Sequence, residues 1–520
     1  MVLLETWNLS QIIFSKFNTF DKNIFLRSKV NKLYRIINAV KKEDIDTIHD
    51  YSCRILEEVG MRFMSREMLD SLEESGAKID REKNVAFLPQ KLVEEKLGCF
   101  SKEIQSGRVH LMLNGGVSYD VGDKIFCKFG AIAPRFFDWD SQIDREATQF
   151  DLINAIRLGH AVDEIGIVGC PMYVKNIDGR TIDPNFTPIL NAMFLAKHTS
   201  KLGNSEVNSK KQLKYLMEIG IVLKGSLEEY KKTPVFITAK ESISPLLLDQ
   251  NACEVLIALA KNGLPATMIP MPIMGAGVPV TIAGATAINY AEVIATMTAI
   301  RCIVPDAMVG GGSMASYMDM SGKGIKFNVM DAIKVDMLTS QIFEIKYGLD
   351  YGYGIYSSDA KKLGCEVLIE RIFKILGGFI VAKHNYVIGL YDQGMVFSPQ
   401  LALAEIEIAK SIHELFTGFS MDDLEGNELL DEIKSVGHGG NFMASMHTLK
   451  NFKSNMRSDI LEEVFDSKSN KAIGGIFERA NTKYKHILAN TEKYELPADK
   501  SKEIDTIIAA AHKDIVGRDW

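Results

Sequence analysis

The sequence predicts an α/β fold: a (β/α)8 barrel of the TIM type, with an N-terminal α+β cap and a C-terminal helical extension. Three observations predict it. Short apolar runs with strand character alternate with amphipathic helical patterns from about residue 126 to residue 420. Eight such units follow one another, the number that closes a barrel of parallel strands joined by right-handed crossovers. No GxGxxG turn follows a strand, which disfavours the open, doubly wound sheet.

The elements follow in chain order. Residues 1–35 read as an N-terminal extension, because Lys16, Lys22, Arg27 and Lys29 interrupt its apolar residues and no secretory cleavage pattern is visible. Residues 36–125 read as the cap. Glu43–Gly60 has helical apolar spacing and stops at a glycine, Ser65–Gly76 and Pro89–Leu97 repeat the pattern, and Gly115, Gly116 and Gly122 punctuate strand-like pieces between Val109 and Phe129. Residues 126–420 carry the barrel. Its expected strands are Pro134–Asp138, Gly166–Cys170, Leu202–Glu206, Pro234–Ala239, Ala266–Met271, Met308–Gly312, Tyr351–Tyr356 and Tyr386–Tyr391. Its expected helices are Gln149–Val162, Pro188–Thr199, Lys211–Leu223, Gln250–Lys261, Tyr290–Ile303, Val329–Tyr347, Lys362–Leu376 and Leu401–Phe416. Residues 421–520 are helical and polar, include a GHGG run at Gly437–Gly440, and are expected to pack against the barrel.

Composition narrows the function. The chain has 520 residues, 46% hydrophobic and 24% charged, the mixture of a globular protein. Its 60 basic and 67 acidic residues leave a formal charge of −7, which argues against nucleic acid and anionic membranes as partners. Apolar runs are too short and too broken to span a bilayer. The 7 cysteines are scattered with no CxxC pair, which fits the reducing cytoplasm and predicts no protein-bound metal. A cytoplasmic, homo-oligomeric protein is expected.

In a barrel, chemistry sits at the C-terminal ends of the strands and in the loops just beyond. Glu241 follows the fourth expected strand, Gly275 and Gly277 the fifth, Gly310, Gly311, Gly312 and Ser313 the sixth, Asp359 and Lys361 the seventh, and Asp392 the eighth. Each has an ordinary structural reading too. Asp359 and Asp392 stand where helix N-caps stand, and three consecutive glycines admit a flat cofactor, a phosphate or merely another strand.

The same segments resemble the trimethylamine methyltransferase family. The resemblance is carried by "IHDYSCRILEEVGMRFMSREMLDSLEESGAKID", "ESISPLLLDQNACEVLIALAKNGLPATMIPMPIMGAGVPVTIAGATAINYAEVIA", "GGGSMASYMDMSGKG", "SDAKKLGCEVLIER" and "GHGGNFMASMHTLKNFKS", and it runs from about Ile48 to Ile515. It implies a barrel and methyl transfer from a methylated amine to a cobalt corrinoid (a cobalamin-type cofactor) held by a separate corrinoid-binding protein. The trimethylamine enzymes carry pyrrolysine; this chain has none, which places it with the members lacking pyrrolysine, some of which act on quaternary amines such as glycine betaine, proline betaine or carnitine. It departs from the family pattern at His438, where Pro is common, at Asn441, where His is common, and after SDAKKLG, where Gln-Ala-Gly often follows.

A quaternary ammonium leaves as a neutral amine, so its enzyme needs positioning and cation stabilisation more than acid–base chemistry. Asp359, Glu241 and Asp392 are the expected catalytic carboxylates, and Tyr353, Tyr356 and Tyr391 the expected aromatic wall for the cation. Lys361, His438, Asn441 and His447 are the candidates for a donor's carboxylate. Gly275, Gly277, Gly310, Gly311, Gly312 and Ser313 would let a corrin approach the rim. The competing expectations are a barrel enzyme of another class and a non-catalytic binder of the corrinoid protein.

Overall fold

The computed structural model describes residues 41–520 apart from 99, 101–124, 131–132, 323, 350, 355, 382–384, 417–423, 425, 452–457 and 463–473. The expected N-terminal extension and the glycine-punctuated pieces before residue 125 lie outside the described residues.

Parallel strands organise the chain. Asn385–Val387, Phe126–Phe129, Ile165–Gly169, Leu202–Asn204 and Phe236–Ile237 lie side by side in that order, every pair parallel. Ala239–Lys240, Ala266–Met268 and Val309–Gly311 form a second parallel run, which a bridge from Gly312 to Gly352 extends. Residues 236–240 serve both runs, so from Phe126 to Gly352 the strands follow chain order. Among the described residues no backbone pairing joins 351–354 to 385–387. Helices cross between successive strands and pack on one face, the arrangement that short strands apolar on both faces require.

Three expected strands fall differently. Arg135–Asp138 does not open the parallel series. It pairs antiparallel with Ile143–Glu146 and parallel with Val396–Phe397 in a separate sheet. Polar ends and a turn in which Asp138 accepts the amides of Asp140 and Ser141 make it a hairpin arm. Phe126–Phe129, buried on both faces except at Lys128, takes its place. Among the described residues of the seventh expected strand, pairing is confined to the bridge at Gly352. The eighth breaks at Gly389, whose φ is 86°, so that Leu390–Tyr391 turns away into the separate sheet.

The cap is tied to this body twice. Met61–Phe63 pairs antiparallel with Val85–Phe87 and parallel with Leu247–Leu248, which follows the fourth expected strand. Helices Lys42–Glu58, Arg66–Glu74 and Gln90–Leu97 pack against Ile282–Ile303. That helix has a near-continuous run of buried residues from Ala285 to Arg301, as expected of one covered on every side. At the other end, Ile476–Asn490 packs on Pro399–Phe416 and Gln149–Ala161, and Ala498–Val516 on Lys210–Lys224 and Thr187–His198. Glu428–Val436 and Met446–Asn451 bury no side chain.

Candidate active site

The strand register sorts the side chains into two faces. Cys127, Phe129, Val168 and Phe236 join the large core beneath the helices. Phe126, Ile167 and Leu202, with Ile237 against them, form a separate small cluster on the opposite, inner face. Lys128 pairs with Ile167, and Asn204 with both Gly169 and Ile237, so these side chains share that inner face. Continuing the two-residue alternation puts Glu206 and Glu241 on it too, beyond the strand ends.

The inner face therefore has an apolar floor and a charged upper tier. Lys128, Glu206 and Glu241 are all half-buried. Burial pushes the Glu206 carboxyl up to about 7, with Glu241 adding repulsion while Lys240 and Lys128 oppose. Burial also raises Glu241, opposed chiefly by Lys240. It lowers Lys128 to about 8, with Glu206 opposing. Burial raises the Tyr356 hydroxyl, and Glu206 adds to the effect. Groups that are strongly desolvated yet still reach solvent mark this as the candidate cleft. Among the described residues none hydrogen-bonds to the Glu206 carboxylate or lies within ion-pair distance of the Lys128 ammonium. Lys240, by contrast, is occupied: its ammonium donates to the Val207 carbonyl at 3.1 Å and to Asn208 Oδ1 at 2.7 Å.

The loop that follows Glu241 is held from below. Glu292, fully buried on the Ile282–Ile303 helix, accepts hydrogen bonds from the Ser242 hydroxyl, the Ser244 hydroxyl at 2.9 Å and the Leu246 amide at 2.8 Å. Beside this loop, Gly275 has φ 81° and its amide donates to the Val278 carbonyl at 2.9 Å, while Gly277 lies against Ser244. Ile243, Val280 and Met320 stand exposed around the turn at 52%, 50% and 71%.

Of the residues expected from sequence, Glu241 and Tyr356 come to the Glu206 cleft. The Tyr356 ring lies 5.0 Å from that of Phe327, with its hydroxyl near Gly394. Asp359 is engaged elsewhere, its two oxygens accepting the Phe327 and Asn328 amides at 2.9 and 2.8 Å. Asp392 is bracketed by cations, Arg135 at 2.6 Å and Lys361 on its other oxygen. Tyr391 donates to Asp144 and packs with Phe137, Val367, Val396 and Leu401. Tyr353 is buried with its hydroxyl against Gly377. His438 and Asn441 are exposed and His447 half-exposed, on the stretch whose helices bury nothing. Backbone contacts take up the glycine run. Gly310 pairs with Thr267, the Gly312 amide donates to the Met268 carbonyl at 3.2 Å, and Gly312 lies against Gly352. Ser313 is buried and its hydroxyl accepts from Asn289 at 2.9 Å.

Sequence reasoning missed Lys128 and Glu206. Glu206 closes the third expected strand, whereas the expected site residues stand in the loops beyond the fourth to eighth. Lys128 was hidden because the first strand was placed eight residues too late (Pro134 instead of Phe126). Among the described residues no helix is long and apolar enough to cross a membrane, and no group of three or more His, Cys, Asp or Glu could hold a metal ion.

Comparison with known proteins places these features in a lineage. The glycine betaine methyltransferase of Desulfitobacterium hafniense is 23% identical over 483 residues, 92% of this chain and 98% of that protein. A trimethylamine methyltransferase of the same species is 25% identical over 461 residues, covering 87% and 89%. One of Methanosarcina mazei is 24% identical over 496 residues, covering 92% and 96%. The solved monomethylamine methyltransferase of Methanosarcina barkeri aligns over 88% of this chain and 90% of its own, at 11% identity and a TM-score of 0.46. The family profile for trimethylamine methyltransferase (MTTB) matches residues 18–516, and the chain belongs to that family.

Proposed function

We propose that this methyltransferase takes a methyl group from a quaternary amine, glycine betaine or a close relative, and delivers it to the Co(I) corrinoid of a separate protein. In this reading the parallel strands close into an eight-stranded barrel and the donor sits over the inner face at their C-terminal ends. One observation carries it: two half-buried carboxylates, Glu206 and Glu241, and Tyr356 are electrostatic neighbours above an apolar floor. A fixed cation that brings no proton fits such a cleft. The relative that shares 98% of its length with this chain bears the name of a betaine enzyme.

Glu206, ionised in part near neutrality, and Glu241 offset the ammonium charge. The Tyr356 ring contributes roughly 0.5–2 kcal/mol more if the cation lies over its face. The leaving group is a neutral tertiary amine, so no side chain has to give or take a proton. What remains is to hold one N–CH3 bond in line with the acceptor. The corrinoid supplies a Co(I) nucleophile to that carbon. Its broad, largely apolar face suits the uncharged rim of Ile243, Val280 and Met320 around Gly275–Gly277. Asp359 and Asp392 fix the rim opposite, through the amide contacts and the Arg135 and Lys361 pairs. The protein works in the cytoplasm and as a homo-oligomer. Self-association is supported by the Cys365–Ile380 helix, which turns Arg371 and Lys374 inward and Ile369, Ile372 and Phe373 outward.

The test is direct. The purified protein is incubated with cob(I)alamin and a panel of methylated amines, and the visible spectrum is followed. Conversion to methylcobalamin with a quaternary amine is expected. An unchanged spectrum with every donor, from a folded protein, would refute the proposal.

A further inference from the structure

We infer that Lys128 anchors the carboxylate of a zwitterionic donor, whose ammonium faces Glu206 and Tyr356 across the same cleft. The inference rests on the reading of this cleft as the donor site and adds which end of the molecule goes where.

Three observations converge. Lys128 is on the inner face, two residues above Phe126 in the apolar floor, and its ammonium has no hydrogen-bond or ion-pair partner among the described residues. A half-buried cation without a partner is costly, and the cost is removed when an anion arrives. Glu206 is its electrostatic neighbour but not its ion-pair partner, so two opposite charges share a desolvated cleft without touching. The inner face thus presents a positive and a negative group side by side. A molecule carrying both signs is best satisfied with its anion at Lys128 and its cation at Glu206.

Three other cations are spoken for. Lys240 is bound to Val207 and Asn208, and Lys361 and Arg135 close on Asp392. His438 is exposed on a segment that buries nothing. Lys128 stands on the inner face two residues from the floor residue Phe126, so a carboxylate entering over the floor meets it.

Three probes separate the two poles. Glycine betaine carries both charges, tetramethylammonium only the cation, and 3,3-dimethylbutyrate keeps the carboxylate and shape but has carbon in place of nitrogen. Their affinities for the wild type and for Lys128→Met are measured by calorimetry. Loss of one charge-assisted contact predicts that glycine betaine and 3,3-dimethylbutyrate weaken by roughly tenfold or more, while tetramethylammonium changes less than about twofold. Lys128→Arg should recover part of the lost affinity. If Lys128→Met does not fold, Lys128→Gln gives the same readout. Equal weakening of all three probes, no weakening of any, or a wild type that binds none of them overturns the inference. The reaction is scored apart from this: methylcobalamin formation that fails with every amine, while 3,3-dimethylbutyrate binding still depends on Lys128, removes the proposed reaction and leaves the anchor standing.

Discussion

Lys374 and Asp336 meet between two neighbouring helices, Nζ to Oδ2 at 3.5 Å, with side-chain exposures of 1% and 0%. Asp336 also accepts the Ala315 amide at 2.8 Å, and Lys374 donates to the Phe327 carbonyl at 3.0 Å. The pair thus ties the segment after the sixth expected strand to the turn that Asp359 holds.

Breaking that pair on one side leaves a buried charge uncompensated. Asp336→Ala or Lys374→Met should each cost about 3–5 kcal/mol of unfolding free energy, whereas Asp336→Leu combined with Lys374→Met should cost less than the two singles added. Urea unfolding of the three variants checks this; additive losses would contradict it.

Glu206 should make the fold less stable as pH rises. Its folded pKa, about 7, lies above its ordinary 4.5, so the folded state binds the proton more tightly and stability falls between about pH 4.5 and 7. Glu206→Gln removes this one contribution. The variant should match the wild type near pH 4 and exceed it by up to about 3 kcal/mol near pH 8. Thermal melts across that range read the difference, and its absence would show the carboxyl to be well solvated.

Glu292 holds the loop beyond Glu241 without reaching the cleft. Glu292→Ala leaves the Ser242 and Ser244 hydroxyls and the Leu246 amide without their acceptor, at a cost of about 3 kcal/mol. Methyl transfer should fall mainly through kcat, because the donor contacts remain while their alignment is lost. Glu292→Gln, which keeps an acceptor, should recover part of both. A KM effect alone would speak against a positioning role.

The Tyr356 ring, not its hydroxyl, should matter for the cation. Tyr356→Phe should bind tetramethylammonium within about twofold of the wild type, and Tyr356→Leu should bind it roughly 2- to 30-fold more weakly. Calorimetry distinguishes the two. Equal losses would place the recognition in the hydroxyl.

The alternation of strands and helices was legible because period is a local property: Ile165–Gly169, Leu202–Asn204 and Val309–Gly311 all fall within a residue or two of their expected places. The first strand was not. RFFD and FCKF are equally short and both carry two phenylalanines, and only pairing with Ile165–Gly169 decides that FCKF opens the series. Glu241 and Tyr356 stood out from their position alone, at or just beyond the ends of the fourth and seventh expected strands. That Asp359 is taken up by two amides and Tyr391 by Asp144 was not, because both partners come from distant stretches of chain. His438 and Asn441 stood out by composition, yet nothing local in GHGG says which way the segment faces.

The helix Ile282–Ile303 has a consequence for dissecting the protein. It is sheathed on one flank by Lys42–Glu58, Arg66–Glu74 and Gln90–Leu97, and on the others by the strands and Met330–Tyr347. Trimming the first hundred residues would strip an oily rod bare rather than remove a lobe, and the shortened protein would aggregate. Shortened versions meant for crystallisation or for fusion should therefore begin no later than Lys42.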